Sequence, residues 1–305
     1  MQCIEQVTTD DYSLFNGDCC EVIQSIPDDS VGFTVFSPPF ASLYTYSDSE
    51  RDMGNCKSDD EFWGHFNFLI PELLRTAKPG SNCSVHCMNL PTTKQHSGYI
   101  GIRDFRGDVI RAFESAGWIY HSEVCIWKDP VTAMQRTKAL GLLHKQIVKD
   151  SSMSRQGIPD YLCTFRKPGD RPEPVSGAFN RFIGDESEFR SEGRFSIDVW
   201  QKYASPVWSD IRMNRTLNNY REGREQDDER HICPLQLDVI ERALQLWSNP
   251  GDVVLSPFAG IGSEGYCSLK MHRKFIGIEL KPSYYKIACR NLEKAIDESR
   301  QEVLF

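Results

Sequence analysis

No stretch of eighteen apolar residues occurs in this 305-residue chain, so none of it reads as a membrane-spanning helix. The amino terminus, Met1-Gln2-Cys3-Ile4-Glu5, has no basic region followed by an apolar one, and the expectation is a chain without a signal peptide. C-x-x-C pairs are missing as well. The eleven cysteines (3, 19, 20, 56, 83, 87, 125, 163, 233, 267, 289) are an odd number without framework spacing, which reads as reduced thiols in a cytoplasmic protein. Cys83, His86 and Cys87 lie close together but lack a second ligand pair. They sit in an expected buried strand, where Cys behaves as a small hydrophobe, so no metal site is expected. Internal repeats and low-complexity tracts are absent. Positive charge is in deficit, with a net charge of −8, which speaks against a polyanion-binding surface spread over the whole molecule.

The basic residues that are present are concentrated. Residues 128–224 hold 17 Lys and Arg against 12 Asp and Glu, a basic middle on an acidic scaffold. That distribution suits polyanion contacts confined to one region, or simply solvated loop charge. Composition is otherwise that of a globular protein, 40% hydrophobic and 26% charged, long enough for one large α/β domain with a substantial insertion.

Hydrophobic periodicity gives a strand over 12–18, a helix over 19–26 and a short buried strand over Val31-Gly32-Phe33-Thr34-Val35-Phe36. Tyr44 to Cys56 reads as a polar loop. Glu61 to Lys78 reads as a helix closed by Pro79-Gly80, followed by a strand (82–88), a helix (107–116) and a strand (120–127). The alternation implies a mostly parallel sheet with helices on both faces. It breaks over 128–230, where loops rich in Gly, Pro, Arg and Ser surround isolated aromatics (Phe179, Phe182, Trp200, Trp208), and resumes with a helix over 235–247.

Two strand ends carry chemistry. Asp252 to Leu255 is a strand, Ser256 to Gly265 a glycine loop, and Lys274 to Glu279 the next strand after an intervening helix. Gly260, Gly262 and Gly265 match G-x-G-x-x-G, and Glu279 stands about twenty residues on, where a carboxylate accepts from ribose hydroxyls. A nucleoside-bearing cofactor follows. The fingerprint alone does not separate a nicotinamide dinucleotide from S-adenosylmethionine. The late position of the loop, with only about forty residues after it, argues against a dehydrogenase, and so does the second strand end.

That second end is Ser37-Pro38-Pro39-Phe40. An exocyclic base amine is a poor nucleophile because its lone pair is delocalised into the ring. A Ser37 hydroxyl and a backbone carbonyl of the Pro-Pro segment, aimed at its N–H groups, would favour the tetrahedral nitrogen of a methyl-transfer transition state. The prolines fix φ and hold those acceptors rigid. Phe40 offers a face on which an extruded base stacks.

With these motifs in this order the chain resembles the β-class, permuted group of bacterial and phage DNA amino-methyltransferases, which act on cytosine N4 or adenine N6. The likeness covers residues 12–127 and 231–292. It implies a Rossmann-like, circularly permuted α/β fold: a catalytic half (1–127), a target-recognition insertion (128–230) and a cofactor half (231–305). It implies S-adenosylmethionine as cofactor and double-stranded DNA as partner. Ser37, Pro38, Pro39 and Phe40 then form the catalytic tetrad. Asp18, in the Gly17-Asp18 element, meets the cofactor adenine. His231, in His231-Ile232-Cys233-Pro234-Leu235-Gln236, flanks its methionine end. Ser256, Phe258, Gly260 and Gly262 form the loop, and Glu279 holds the ribose.

There are departures from the family pattern. Ser256 stands where most members carry Asp, removing a charge near the methionine amino group, and Cys233-Pro234 shifts the usual proline spacing. A leading Ser resembles the cytosine-N4 branch, with adenine N6 the alternative. Within 128–230, Arg136, Lys138, Lys145, Arg155 and Arg212 are the DNA-binding candidates. The family resemblance also implies pairing of two copies. No nuclease motif is evident, so a solitary or separately partnered methyltransferase is expected. A methyltransferase acting on RNA, a protein amide or a small molecule, and a binding protein that has lost turnover, are the other readings.

Overall fold

The computed structural model describes residues 3–39, 52–56, 58–131, 133, 144–176, 196–223 and 234–302. The strands are β1 (Cys3–Thr8), β2 (Tyr12–Gly17), β3 (Val31–Phe36), β4 (Ala77–Met88), β5 (Leu90–Thr92), β6 (Gly101–Arg103), β7 (Ile119–Ile126), β8 (Asp160–Arg166), β9 (Val207–Trp208), β10 (Val253–Ser256) and β11 (Lys274–Glu279). The helices are α1 (Cys19–Val22), α2 (Asp59–Thr76), α3 (Lys94–Ser97), α4 (Phe105–Ser115), α5 (His144–Lys149), α6 (Ser196–Tyr203), α7 (Leu237–Trp247), α8 (Ser263–Lys270) and α9 (Pro282–Glu302).

Nine strands form one sheet in the order β1-β2-β11-β10-β3-β4-β8-β7-β9, and β5 pairs with β6 apart from it. β2, β11, β10, β3 and β4 are mutually parallel, whereas β8 runs antiparallel between β4 and β7. β3 lies at the centre of the nine-stranded sheet and every one of its residues is buried. Its unbroken apolar character follows from helices covering both faces. Its side chains serve two cores. Val31 and Phe36 pack with Phe62, Phe66 and Leu69 of α2 and with Val109 and Phe113 of α4. Phe33 and Val35 pack with Val239 and Leu244 of α7, Cys267 of α8 and Ala288 and Leu292 of α9. No helix of the described residues is long and apolar enough to cross a membrane.

Three expectations change. First, α2 ends at Thr76, not at Pro79-Gly80, and those two residues lie inside β4. There the pairing with β3 jumps from Val31–Ala77 to Phe33–Asn82. An irregularity of this kind tolerates a proline that cannot donate, and Gly80 takes φ 70° while its N–H donates to the Lys167 carbonyl.

Second, the stretch 128–230 is not all insertion. β8 is an interior strand of the main sheet, and Trp208, expected among recognition aromatics, is buried in β9 beneath the Arg242 guanidinium. Third, residues 52–56 of the expected polar loop form a short 3-10 turn. Asp52 Oδ1 accepts from the Gly54 N–H there, and Met53 and Cys56 are buried. Residues 41–51 of that loop lie outside the described residues.

Candidate active site

The carboxyl ends of β2, β11, β10, β3 and β4 lie side by side along one edge of the sheet, where open parallel sheets place their ligands. Five short chain segments leave that edge, and most of the residues singled out in the sequence are on them.

The glycine loop follows β10. Gly260 takes φ 53° and Gly262 φ 85°, both in the left-handed region. The two glycines do different jobs. A Cβ built on Gly260 would meet nothing within 4 Å, so its missing side chain keeps open space beside the loop. A Cβ on Gly262 would lie 3.2 Å from the Ala288 Cβ, and one on Gly265 would lie 2.5 Å from Leu292 Cδ2. Those two glycines let α8 sit close to α9. Ser256 at the end of β10 and Ser263 at the start of α8 are buried, and their hydroxyl oxygens have no hydrogen-bond partner among the described residues.

Glu279 ends β11 and pins the loop. Its Oε2 accepts from the Gly260 N–H at 2.8 Å and its Oε1 from the Lys281 N–H at 2.7 Å. Burial pushes this carboxyl up to about 7, against the pull of those two N–H donors. Glu264, in the first turn of α8, is buried and pushed up to about 8, mainly by desolvation and further by the charge of Glu279. Asn16, buried at the end of β2, donates its amide to the carbonyls of Glu279 and Leu280 and so ties β2 to β11. Asp18 caps α1, its Oδ1 accepting from the Cys20 N–H at 2.8 Å. Phe258 is half-buried, its ring 5.7 Å from Phe36 and 6.4 Å from Phe66.

Ser37 follows β3, and Pro38 and Pro39 behind it are buried. β3 pairs with β10 on one side and β4 on the other, so the β4 register that sets Phe36 against Val85 brings His86 beside Ser37. The Ser37 Oγ lies 3.2 Å from His86 Nδ1 and 3.4 Å from the His86 carbonyl oxygen. His86 Nε2 faces Asp160 Oδ2 at 3.2 Å, and the Lys128 ammonium pairs with the other Asp160 oxygen. Burial alone would raise the Asp160 carboxyl. Lys128 and His86 outweigh it and hold the carboxyl below its ordinary value. Strand alternation sends Cys83 and Cys87 into the apolar core, on the face opposite His86.

Sequence reasoning missed Asn16, Glu264, Lys128 and Asp160, and weighed His86 only as a metal ligand. Glu264 was visible inside the glycine motif. The others are set by strand register, which no local pattern displays.

Of the basic candidates, Lys145 is exposed on α5. Arg155 is half-buried; desolvation lowers its guanidinium, and Nη1 donates to the Gln156 carbonyl at 3.0 Å. Arg212 donates through Nε and Nη2 to the Asp238 carboxylate at 3.0 and 2.7 Å, so that edge of its guanidinium is used within the protein. Phe40, Arg136, Lys138 and His231 lie outside the described residues.

Comparison with known proteins bears on this edge directly. A family model described as DNA methylase matches residues 31–290. The type II methyltransferase M.BglII of Bacillus subtilis is 26% identical over 288 residues, covering 94% of this chain and 70% of its own length. A protein of Thermus thermophilus assigned as a DNA modification methylase, solved in complex with S-adenosyl-L-methionine, superposes with a TM-score of 0.65. It is 20% identical, with 93% of each chain covered. The cytosine-N4-specific PvuII DNA methyltransferase superposes with a TM-score of 0.64 at 15% identity, over 98% of this chain and 96% of that one.

Proposed function

The chain belongs to the DNA methylase family, whose members carry methyl groups from S-adenosylmethionine to cytosine N4 or adenine N6 of DNA, and from that premise we propose that its own target is cytosine N4. The observation that carries the proposal is the Ser37 hydroxyl, set by β3 beside the glycine loop and followed by two buried prolines.

The residues around the loop fit the cofactor. Gly260 leaves open space beside the chain, and the unpartnered hydroxyls of Ser256 and Ser263 offer polar contacts on either side of it. Each Glu279 oxygen, already accepting one backbone N–H, keeps a lone pair for a ribose hydroxyl. Ser256 takes the amino group that an Asp contacts in most members, as an acceptor without charge. Asp18 and Phe258 would hold the adenine, and His231, outside the described residues, would hold the methionine end, as the family resemblance implies. Bound there, S-adenosylmethionine supplies an electrophilic methyl group.

Ser37 and a carbonyl of the Pro38-Pro39 segment accept the two N–H groups of the target amine and draw its nitrogen toward tetrahedral geometry. The prolines keep those acceptors from turning away. Phe40 stacks on the base. A base amine inside a duplex is out of reach of an active-site side chain, so the target nucleotide leaves the duplex to reach Ser37. Recognition of the flanking sequence falls to parts of 128–230 outside β8 and β9, with Lys145 and Arg155 contacting phosphate. Two copies are expected to pair, which light scattering of the purified protein reads directly.

The test of the target is nucleoside analysis. DNA from an unmodified host, methylated by the purified protein and digested, is expected to yield N4-methylcytosine. N6-methyladenine in its place would move the chain to the other branch.

A further inference from the structure

Four side chains run in file along the active edge, from β3 across β4 and β8 to the end of β7: Ser37, His86, Asp160 and Lys128. His86 and Asp160 are 7% and 3% exposed, so the file is sealed from water over most of its length. We propose that His86 is a positioning residue for methyl transfer, which orients the Ser37 hydroxyl and takes up, through it, the proton that the methylated amine sheds. The inference rests on Ser37 being the acceptor for that amine.

The charges around the ring set the direction of its hydrogens. Lys128 donates to Asp160 and keeps it a carboxylate, so Asp160 can only accept. The carboxylate faces Nε2 at 3.2 Å and favours a hydrogen on that nitrogen, which leaves Nδ1 as a lone pair. Nδ1 in turn accepts the Ser37 O–H at 3.2 Å. With its hydrogen drawn to Nδ1, the shorter of its two contacts with residue 86, the Ser37 oxygen turns both lone pairs outward, where an N–H can donate. Without the ring, only the backbone carbonyl of residue 86, 3.4 Å away, is left to keep the hydroxyl hydrogen from pointing at the amine, where it repels an N–H.

The same file can move one proton. As the N–CH₃ bond forms from the amine lone pair and the S–CH₃ bond breaks with the pair kept by sulfur, the nitrogen holds one hydrogen too many. Ser37 accepts that hydrogen while passing its own to His86 Nδ1. The imidazolium that results lies between the serine oxygen and the Asp160 carboxylate, which stabilises it, and later loses its proton to solvent. Charge balances: one positive charge leaves the sulfonium and one appears on His86.

A serine, histidine and aspartate in file also describe a hydrolase. Here Ser37 is followed by Pro38 and Pro39, which have no N–H groups, so the backbone after the serine cannot build an oxyanion hole. Among the described residues, the charged groups facing the ring are Asp160 on β8 and, behind it, Lys128 after β7, and the end of β3 presents Ser37.

The experiment measures single-turnover transfer of labelled methyl to duplex DNA across pH 5.5 to 9 for the wild type, Ser37→Ala, His86→Asn and the double variant. Asparagine keeps a polar group near Nδ1 but cannot hold a proton. His86→Asn is expected to lose roughly a hundredfold in rate at neutral pH. It should also lose the acid limb of the wild-type pH profile, while cofactor affinity stays unchanged. The double variant is expected to be no slower than Ser37→Ala, because residues acting as one unit are not additive. A wild-type rate and profile in His86→Asn, with Ser37→Ala slow, would overturn the relay and leave Ser37 in its role. A wild-type rate in Ser37→Ala would remove the reading of the tetrad and the relay with it. Should His86→Asn fail to fold, the wild-type rate in mixtures of light and heavy water decides: a curved dependence means two protons in flight, and a flat one refutes the file.

Discussion

At the scale of single residues, two carboxyls beside the glycine loop make this protein respond to pH. Burial raises Glu264 to about 8 and Glu279 to about 7, so both hold a proton more tightly in the folded protein than in the unfolded chain. Their stabilising contribution is complete below the ordinary carboxylate range and is lost as pH rises through the folded values. The melting temperature of the cofactor-free protein is therefore expected to fall between pH 5 and pH 8. Differential scanning fluorimetry reads this fall, and Glu264→Gln should flatten it. Asp238 does not blur that window. There, burial is outweighed by Arg212 and Arg215, the carboxyl is held at about 2, and its contribution disappears only in more acid solution. Of these residues the sequence exposed Glu279 by its spacing from the glycines, but not its role in pinning Gly260, which needs β10 and β11 to be neighbours.

At the scale of elements, the loop between β10 and α8 separates glycines that serve packing from a glycine that leaves open space beside the chain. Gly265→Ala would drive a methyl into Leu292 and the Phe275 ring, and overpacking of this kind costs about 1–3 kcal/mol. A lower urea midpoint with cofactor affinity per folded molecule retained is expected. Gly260→Ala meets no atom within 4 Å but fills the open side of the loop and strains a left-handed backbone. Calorimetric titration with S-adenosylmethionine is expected to show at least a roughly tenfold loss of affinity, about 1.4 kcal/mol, larger than the loss of stability. Equal damage from the two substitutions would mean that the loop is only structural. The sequence pattern G-x-G-x-x-G gives all three positions the same weight; α9 behind the loop tells them apart.

At the scale of the whole molecule, Arg171 is the tie between the middle of the chain and its two ends. Its guanidinium pairs with the buried Asp252 before β10 and donates to the Gly32 carbonyl in β3 and to the Ser81 hydroxyl in β4. Removing one partner of a buried ion pair strands the other, at a cost of about 3–5 kcal/mol. Arg171→Met is expected to lower the urea unfolding midpoint by that margin, and Arg171→Met with Asp252→Asn to regain part of it. A midpoint within about 0.5 kcal/mol of wild type would show that the segment after β8 is not anchored there.

What the amino-acid sequence determined by itself is local: the all-buried β3, the strand–glycine loop–helix–strand unit, and the Ser-Pro-Pro-Phe end. Periodicity, proline and glycine act within a few residues of where they stand, so they can be read without knowing the neighbours. It also carried the family likeness, because those motifs keep their order along the chain. Only the tertiary structure decided that β8, inside a stretch without periodicity, enters the sheet between β4 and β7. It likewise decided that the register of β3, β4 and β8 lines up Ser37, His86 and Asp160 from sites 49 to 123 residues apart in the chain. Pairing between strands is a long-range choice made by the cores on both faces, and no short window of sequence contains both partners.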